Sequence, residues 1–407
     1  MIDNLHEILN EKRIDVKSWV DAQLKDKPVP IYSSFDIRDN GIKASIVDSN
    51  LFPAGFNNLT NESQYSASLH FKKIIPTLCQ SKAILIIPEA HTRNLYYLSN
   101  LNTLKKIIEN AGYKVIIGSI REDIDETLTV NDSDGRELTL EKMKNAKGIL
   151  KTKNFDHGLI LLNNDFSTPA PELLAQVKEC IAPPIKLGWT HRKKMSFFKH
   201  FCKLAHSFGE EMKFDHWLIC PATKEINDID FSTGKNIDAI AQETDEMIDG
   251  IQKKYDEYKI KEKPFVFIKD NSGTYGMGII TVSSGKDVLE LNSKERRSMK
   301  SGKEQNPINS VIVQEGIATK HTVNEGTAEP VLYCVGGNVV GGFMRIHNEK
   351  DEKSSLNAPG AKFDVLLRDH ITRPIVDFID EKDALSLYSV LAHLGTIAIS
   401  KEMEEVL

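Results

Sequence analysis

The sequence predicts an α/β protein in two parts: a mostly parallel, helix-covered sheet, then a domain of close-set, partly antiparallel strands. Three observations carry that expectation. Short apolar runs at 83–88 (Ala-Ile-Leu-Ile-Ile-Pro), 114–120 (Lys-Val-Ile-Ile-Gly-Ser-Ile) and 158–162 (Gly-Leu-Ile-Leu-Leu) have the length and composition of buried strands. Between the first two, Leu101, Leu104, Ile107 and Ile108 form a helical stripe that stops at Gly112, so strand, helix and strand alternate as in a parallel sheet. From residue 264 the pattern changes to runs at 265–269, 279–283, 310–315, 331–335 and 338–344, and Gly336-Gly337 reads as a two-residue hairpin turn.

The remaining elements follow in order. Met1–Lys25 is polar with helical spacing and lacks the apolar core of a signal peptide. Leu173, Leu174, Val177 and Ile181 mark a helix stopped by Pro183-Pro184. Met247, Ile248, Ile251, Tyr255 and Tyr258 mark a longer one, closed before Pro264. Residues 284–309 read as a helix plus a loop, and Ala384–Leu407 is apolar at helical spacing. The break near 185–195 divides the chain into expected domains 1–188 and 189–407.

Composition narrows the function classes. A chain of 407 residues with 40% hydrophobic and 27% charged residues suits a globular protein of two or three domains. The net charge is −6 and no basic block occurs, which argues against nucleic acid. No apolar stretch approaches the roughly 18 residues that a membrane span needs. The five cysteines are scattered with no C-x-x-C spacing, so free thiols in a reducing cytoplasm are expected, with neither a disulfide frame nor a zinc site. Small molecules are the expected partners, and homo-oligomerisation stays open.

Chemistry concentrates first in residues 264–283. The apolar run Phe265–Ile268 ends in Lys269 and enters a loop, Asp-Asn-Ser-Gly-Thr-Tyr-Gly-Met-Gly, with Thr274 and Tyr275 at its tip. Gly273, Gly276 and Gly278 let backbone N–H groups approach phosphate oxygens, and Lys269 adds a charge for the same oxygens. The spacing is neither a P-loop nor G-x-G-x-x-G, and His-Arg-Asp and Asp-Phe-Gly elements of kinases are missing. A hairpin that clamps nucleoside triphosphate is the reading, against an ordinary glycine-rich turn.

Charged strand ends follow this loop: Gln314-Glu315, Glu329-Pro330, Arg345 after Gly341-Gly342, and a loop at 355–360 that holds Asn357. In the first half, polar clusters stand at strand ends. They include Asp36, Arg38, Asp48, Asn50, Asn57 and Asn58, then Glu89, His91, Arg93 and Asn94, then Asn164. Open α/β sheets bind small ligands at the carboxyl ends of their strands, although Asn, Asp and Ser also serve turns and helix caps.

Together these strings carry a resemblance. Lysine, glycine loop, acidic strand ends, arginine hairpin and asparagine loop, in this order, resemble the ATP-grasp ligases. More specifically, Ser34–Asp39, Asp48–Leu59, Glu89–Leu95, Gly188-Trp189-Thr190-His191-Arg192-Lys193-Lys194, Lys269–Gly278 and Leu356–Gly360 are similar to a small bacterial family of glutamate–cysteine ligases, distinct from the common bacterial and eukaryotic types. The similarity runs from about residue 30 to 365. It implies an N-terminal α/β substrate-binding domain and an ATP-grasp-like nucleotide-binding domain. It also implies ADP-forming ligation of glutamate to cysteine with ATP and Mg2+, the first step of glutathione synthesis. A related ATP-grasp ligase such as glutathione synthetase is the nearest alternative.

By that resemblance Lys269 and Arg345 would stabilise the transferring phosphoryl group. Lys194, Lys269, the loop 273–278, Gln314 and Glu315 would hold the nucleotide. Arg38, Arg93 and Arg192 are candidates to grip substrate carboxylates with a bidentate fork. No Glu-x-Asn pair follows residue 365, so the magnesium ligands stay open among Glu315, Glu329 and Asn357, and the second nucleotide lysine among Lys193, Lys194 and Lys199.

Overall fold

The structure is a computed structural model that describes residues 1–90, 93–273, 276–302, 307–366 and 386–407. Helices α1 (Ile2–Glu11) and α2 (Arg13–Leu24) open the chain and bury Leu5, Leu9, Val16 and Val20. Strands β1 (Tyr32–Asp39) and β2 (Ala44–Asn50) then pair antiparallel. This polar stretch was expected as a ligand cluster and not as strands. Its apolar residues nevertheless alternate: Phe35 and Ile37 point to the core, while Ser34, Asp36 and Arg38 occupy the opposite face.

Helix α3 (Asn61–Leu78) leads into the second sheet: β3 (Ala83–Pro88), helix α4 (Leu95–Asn110), β4 (Lys114–Ser119), β5 (Thr127–Asn131) and β6 (Glu137–Lys142). After the small hairpin of β7 (Lys144–Ala146) and β8 (Ile149–Lys151), β9 (Leu159–Asn163) and β10 (Ile181–Ala182) complete it. The order is β10-β9-β3-β4-β6-β5, parallel except for β5 on one edge. The expected parallel sheet is therefore present, and the hairpins between 127 and 151 are additions. The helix expected at Leu173–Ile181 does not form. A single turn spans Glu172–Leu174, Gln176 has φ +56°, and Ile181 joins a strand. Pro169, Pro171, Pro183 and Pro184 leave too little uninterrupted chain for a helix to nucleate.

Helix α5 (Lys194–Met212) precedes the third sheet, made by β11 (Thr223–Asn227), β12 (Val266–Asp270), β13 (Ile279–Val282) and β14 (Ser310–Glu315), all antiparallel in the order β11-β14-β12-β13. Helix α6 (Ile237–Glu257) packs on it, followed by short helices α7 (Gly285–Leu289) and α8 (Ser293–Ser298). Strands β15 (His321–Val323), β16 (Gly326–Val335), β17 (Asn338–His347) and β18 (Lys362–Val365) return to β1 and β2, giving the order β18-β17-β16-β1-β2 with β15 on β16. The turn at Gly336-Gly337 has φ +55° and +80°, as a type I′ hairpin requires. That sheet draws strands from both sides of residue 188. Its core face packs under α9 (Leu387–Val406), with Phe35 and Ile46 against Gly395.

One expectation about thiols is corrected. Cys202 and Cys220 form a disulfide across α5 and the segment that returns along it, whereas Cys79, Cys180 and Cys334 are in no disulfide. The pair lies 18 positions apart in sequence, and the reversal of the chain after α5 brings them together.

Candidate active site

The register of the first sheet builds one wall of the site. Ser34 pairs with Asn50 and Tyr333, and Asp36 with Asp48 and Val331. Val331 pairs with Phe343, Glu329 with Arg345, and Arg345 with Phe363. Cross-strand partners share a face, so residues some three hundred positions apart line one surface. With Asp165 after β9, Trp189 and Asn357, that surface encloses a cavity of about 220 Å³. Asn100 holds the loop that rims it, its Oδ1 accepting from the N–H of Gly55 (2.8 Å) and Phe56 (3.0 Å). Tyr333 donates its hydroxyl to the Ala54 carbonyl at 2.7 Å.

A second cavity of about 30 Å³ adjoins it, lined by Arg38, Val47, Phe267, Lys269, Gly276, Ile279, Glu329 and Ser355. Asp36, Asp48 and Asn357 line both cavities. The glycine loop closes against the Asn357 loop. Gly276 has φ +67°, and a Cβ there would collide with the Asn357 carbonyl, so only glycine fits.

Charge is arranged as a buried chain. Arg345 donates to Asp36 Oδ2 at 2.6 Å and to Glu329 Oε1 at 2.7 Å, and Arg38 pairs with Glu329 through its Nε. Burial pushes Asp36 above its ordinary value, with Arg345 opposing and Glu329 adding to the rise. Burial also acts to raise Glu329, but Arg38 and Arg345 outweigh it and hold that carboxyl below the usual range. Asp48 stays low because Lys194, at 2.5 Å, and Lys269 outweigh its burial. Burial lowers Lys269 to about 8, with Asp48 partly offsetting the loss and Lys194 adding to it. The Lys269 ammonium donates to the Val47 carbonyl (3.0 Å) and Gln314 Oε1 (2.7 Å). Asn271 joins the end of β12 to the start of α5, accepting from Lys194 N (2.7 Å) and Met195 N (3.0 Å). Lys193 reaches Ser272 Oγ at 2.6 Å.

The structure thus brings Asp36, Asp48, Asn50, Asn58, Arg345 and Asn357 to the larger cavity and Arg38, Lys269, Gly276 and Glu329 to the smaller. Lys194 reaches their shared wall through Asp48, and Gln314 reaches it through Lys269. Glu315 stands elsewhere: its carboxylate accepts from Lys43 at 2.6 Å, the Trp217 indole at 3.1 Å and Ala222 N at 3.0 Å. Arg192 is held by Glu402 and Ser49. Arg93 is exposed, and Asn94 caps α4 by accepting from Tyr97 N at 3.2 Å. Asn164 makes a turn by accepting from Phe166 N at 2.9 Å, and Asn57 donates to Asn58 at 3.3 Å. Glu89 is buried beside the end of β3 and lines neither cavity, and the backbones of Gly273 and Gly278 pack on Asp270. His91, Thr274 and Tyr275 lie outside the described residues. The aromatic wall of Phe52, Trp189, Tyr333, Phe343 and Phe363 was not foreseen as site. Its one signal was Trp189, placed between a glycine and a basic run.

A family model described as glutamate-cysteine ligase (GshA) matches residues 6–403. A crystal structure at 1.90 Å from Methylobacillus flagellatus KT, whose protein bears the provisional name gamma-glutamylcysteine synthetase, superposes with a TM-score of 0.88 at 33% identity, over 99% of this chain and 96% of that one. A glutathione synthetase-like effector from Globodera pallida gives 0.38 at 10% identity, over 88% and 81% of the two chains. D-alanyl-alanine synthetase A from Vibrio cholerae gives 0.33 at 11%, over 79% and 81%. Scores this low carry no argument. No curated protein is matched. Among the described residues no helix is long and apolar enough to cross a membrane, and no group of three or more His, Cys, Asp or Glu forms a metal cluster.

Proposed function

The chain belongs to the glutamate-cysteine ligase family, and from that premise we propose how its cavities divide the reaction: the larger takes the amino acids and the smaller the terminal phosphates of ATP. One observation supports this division above others. The two cavities share Asp36, Asp48 and Asn357, so a carboxylate in one can meet a phosphorus in the other at that wall.

The side-chain carboxylate of glutamate attacks the terminal phosphorus of ATP. The bond to the bridging oxygen breaks, and ADP leaves an acyl phosphate. The amine of cysteine then attacks the acyl carbon, the carbon–oxygen bond to phosphate breaks, and γ-glutamylcysteine and phosphate result. Lys269, charged below about pH 8, offers its ammonium to the phosphates, with the loop through Gly276 beside it. Arg345 faces the larger cavity, fixed in orientation by Asp36 and Glu329. The incoming ammonium must lose a proton, and Asp36, raised by burial, is the carboxylate at the junction suited to accept it.

Of the acids considered for magnesium, Glu315 is taken by Lys43 and Glu329 by two arginines, so neither fits. Asp48, which stays charged and meets Lys194 through Oδ1, and the Asn357 amide are hard oxygen donors on the shared wall and would hold Mg2+ there, where it neutralises triphosphate charge. ATP and free cysteine both suit the cytoplasm as the enzyme's location.

The division is tested by paired kinetics. Phe343→Ala, which alters only the larger cavity, should raise KM for an amino acid and leave that for ATP nearly unchanged. Lys269→Met should do the reverse. If Phe343→Ala changed only the ATP constants, the cavities would have to be exchanged.

A further inference from the structure

We propose that Glu402, on the last helix and outside both cavities, is a positioning residue that sets the amino-acid cavity through Arg192. Its carboxylate takes the Arg192 fork at both oxygens, Nε to Oε1 at 3.1 Å and Nη2 to Oε2 at 2.8 Å. The remaining donors of the guanidinium point to Ser49: Nη1 to its carbonyl at 2.9 Å and Nη2 to its hydroxyl at 2.8 Å. Ser49 lies on β2, which is an edge strand of its sheet, so its carbonyl has no neighbouring strand to satisfy it there. The guanidinium also stacks on Trp189, 5.3 Å from the ring centroid.

Ser49 and Trp189 both line the larger cavity, Ser49 from the first sheet and Trp189 from the segment before α5. One guanidinium therefore fixes two parts of the wall relative to each other, and Glu402 fixes the guanidinium. Both side chains of the ion pair are 2% exposed, which removes solvent as a substitute partner. A planar fork holds direction as well as distance, a property that a lysine could not supply. Neither residue touches the smaller cavity, so the effect belongs to the amino acid and not to the nucleotide.

This inference rests on assigning the amino acids to the larger cavity, and the test separates the two claims. Glu402→Gln keeps the shape and removes the charge, Glu402→Asp keeps the charge and shortens the reach, and Phe343→Ala probes the cavity wall directly. A misplaced wall should cost about 10- to 100-fold in kcat/KM for one amino acid in Glu402→Gln. The KM for ATP should stay within twofold, with partial recovery in Glu402→Asp; the uncompensated Arg192 charge should also lower the melting temperature, so kinetics are read below it on folded protein. Because Arg192 carries the effect, Arg192→Lys should reproduce the loss, and adding Glu402→Gln to it should cost little more. Unchanged amino-acid kinetics in a folded Glu402→Gln protein would overturn the inference, as would equal losses for ATP and the amino acid. If Phe343→Ala also left amino-acid kinetics intact, the cavity assignment itself would fall, and the inference with it.

Discussion

Lys269 shows how a residue singled out in the sequence can still owe its chemistry to the fold. A lysine at a strand end before three glycines signals phosphate, but only the structure shows its ammonium buried between Val47, Gln314 and Asp48 and lowered to about 8. The sign follows directly. Below about pH 8 the group is charged and can hold phosphate, so kcat/KM for ATP should fall as pH rises through about 8, and Lys269→Arg should abolish that limb. Unfolding returns the lysine to its ordinary 10.5, so the fold bears the full cost of the buried charge below about pH 8 and sheds it as pH rises towards 10.5. Lys269→Met should weaken ATP binding by about 1.5–3 kcal/mol for each charge-assisted hydrogen bond to phosphate that it removes. Arg192 and Glu315 mark the limit of reading residues one by one. Their partners, Glu402 and Lys43, lie 210 and 272 positions away, and no local pattern announces them.

At the scale of elements, the glycine loop makes the sharpest prediction. Gly276→Ala must both leave φ +67° and push the Asn357 carbonyl aside, so the loop should retreat from the smaller cavity. Weaker ATP binding with a nearly unchanged melting temperature is the expected result, read by titration calorimetry and a thermal scan. Asn100→Ala would act differently. It strips the buried N–H of Phe56 and the partly buried N–H of Gly55 of their acceptor, a loss of about 1–3 kcal/mol for an unsatisfied buried group, and should lower the melting temperature together with amino-acid affinity. The Gly336-Gly337 hairpin and the parallel strands could be read from the sequence because turn chemistry and apolar runs are local signals. Strands β1 and β2 could not, since their outward face is polar for the site and masks the alternation. The stretch 172–182 misled because apolar spacing alone ignores the prolines that bracket it.

Across the whole molecule, the two proposed cavities lie where three sheets converge. The first sheet supplies Asp36, Asp48 and Arg345, the parallel sheet Asp165 at the end of β9, and the third sheet Lys269 and Ile279. Polar clusters and the glycine loop could be read from the sequence, but not that β1, with β2 on its other edge, pairs with β16 and so brings the two proposed cavities to one wall. On this reading a glutamate carboxylate is phosphorylated at that wall and then taken by cysteine's amine. The decisive experiment identifies the nucleotide product and the dipeptide from a single reaction with ATP, glutamate and cysteine. ADP and phosphate should appear in step with a dipeptide in which cysteine's nitrogen is joined to the side-chain carboxylate of glutamate. Release of AMP and pyrophosphate, or ADP formed only with γ-glutamylcysteine and glycine, would contradict it.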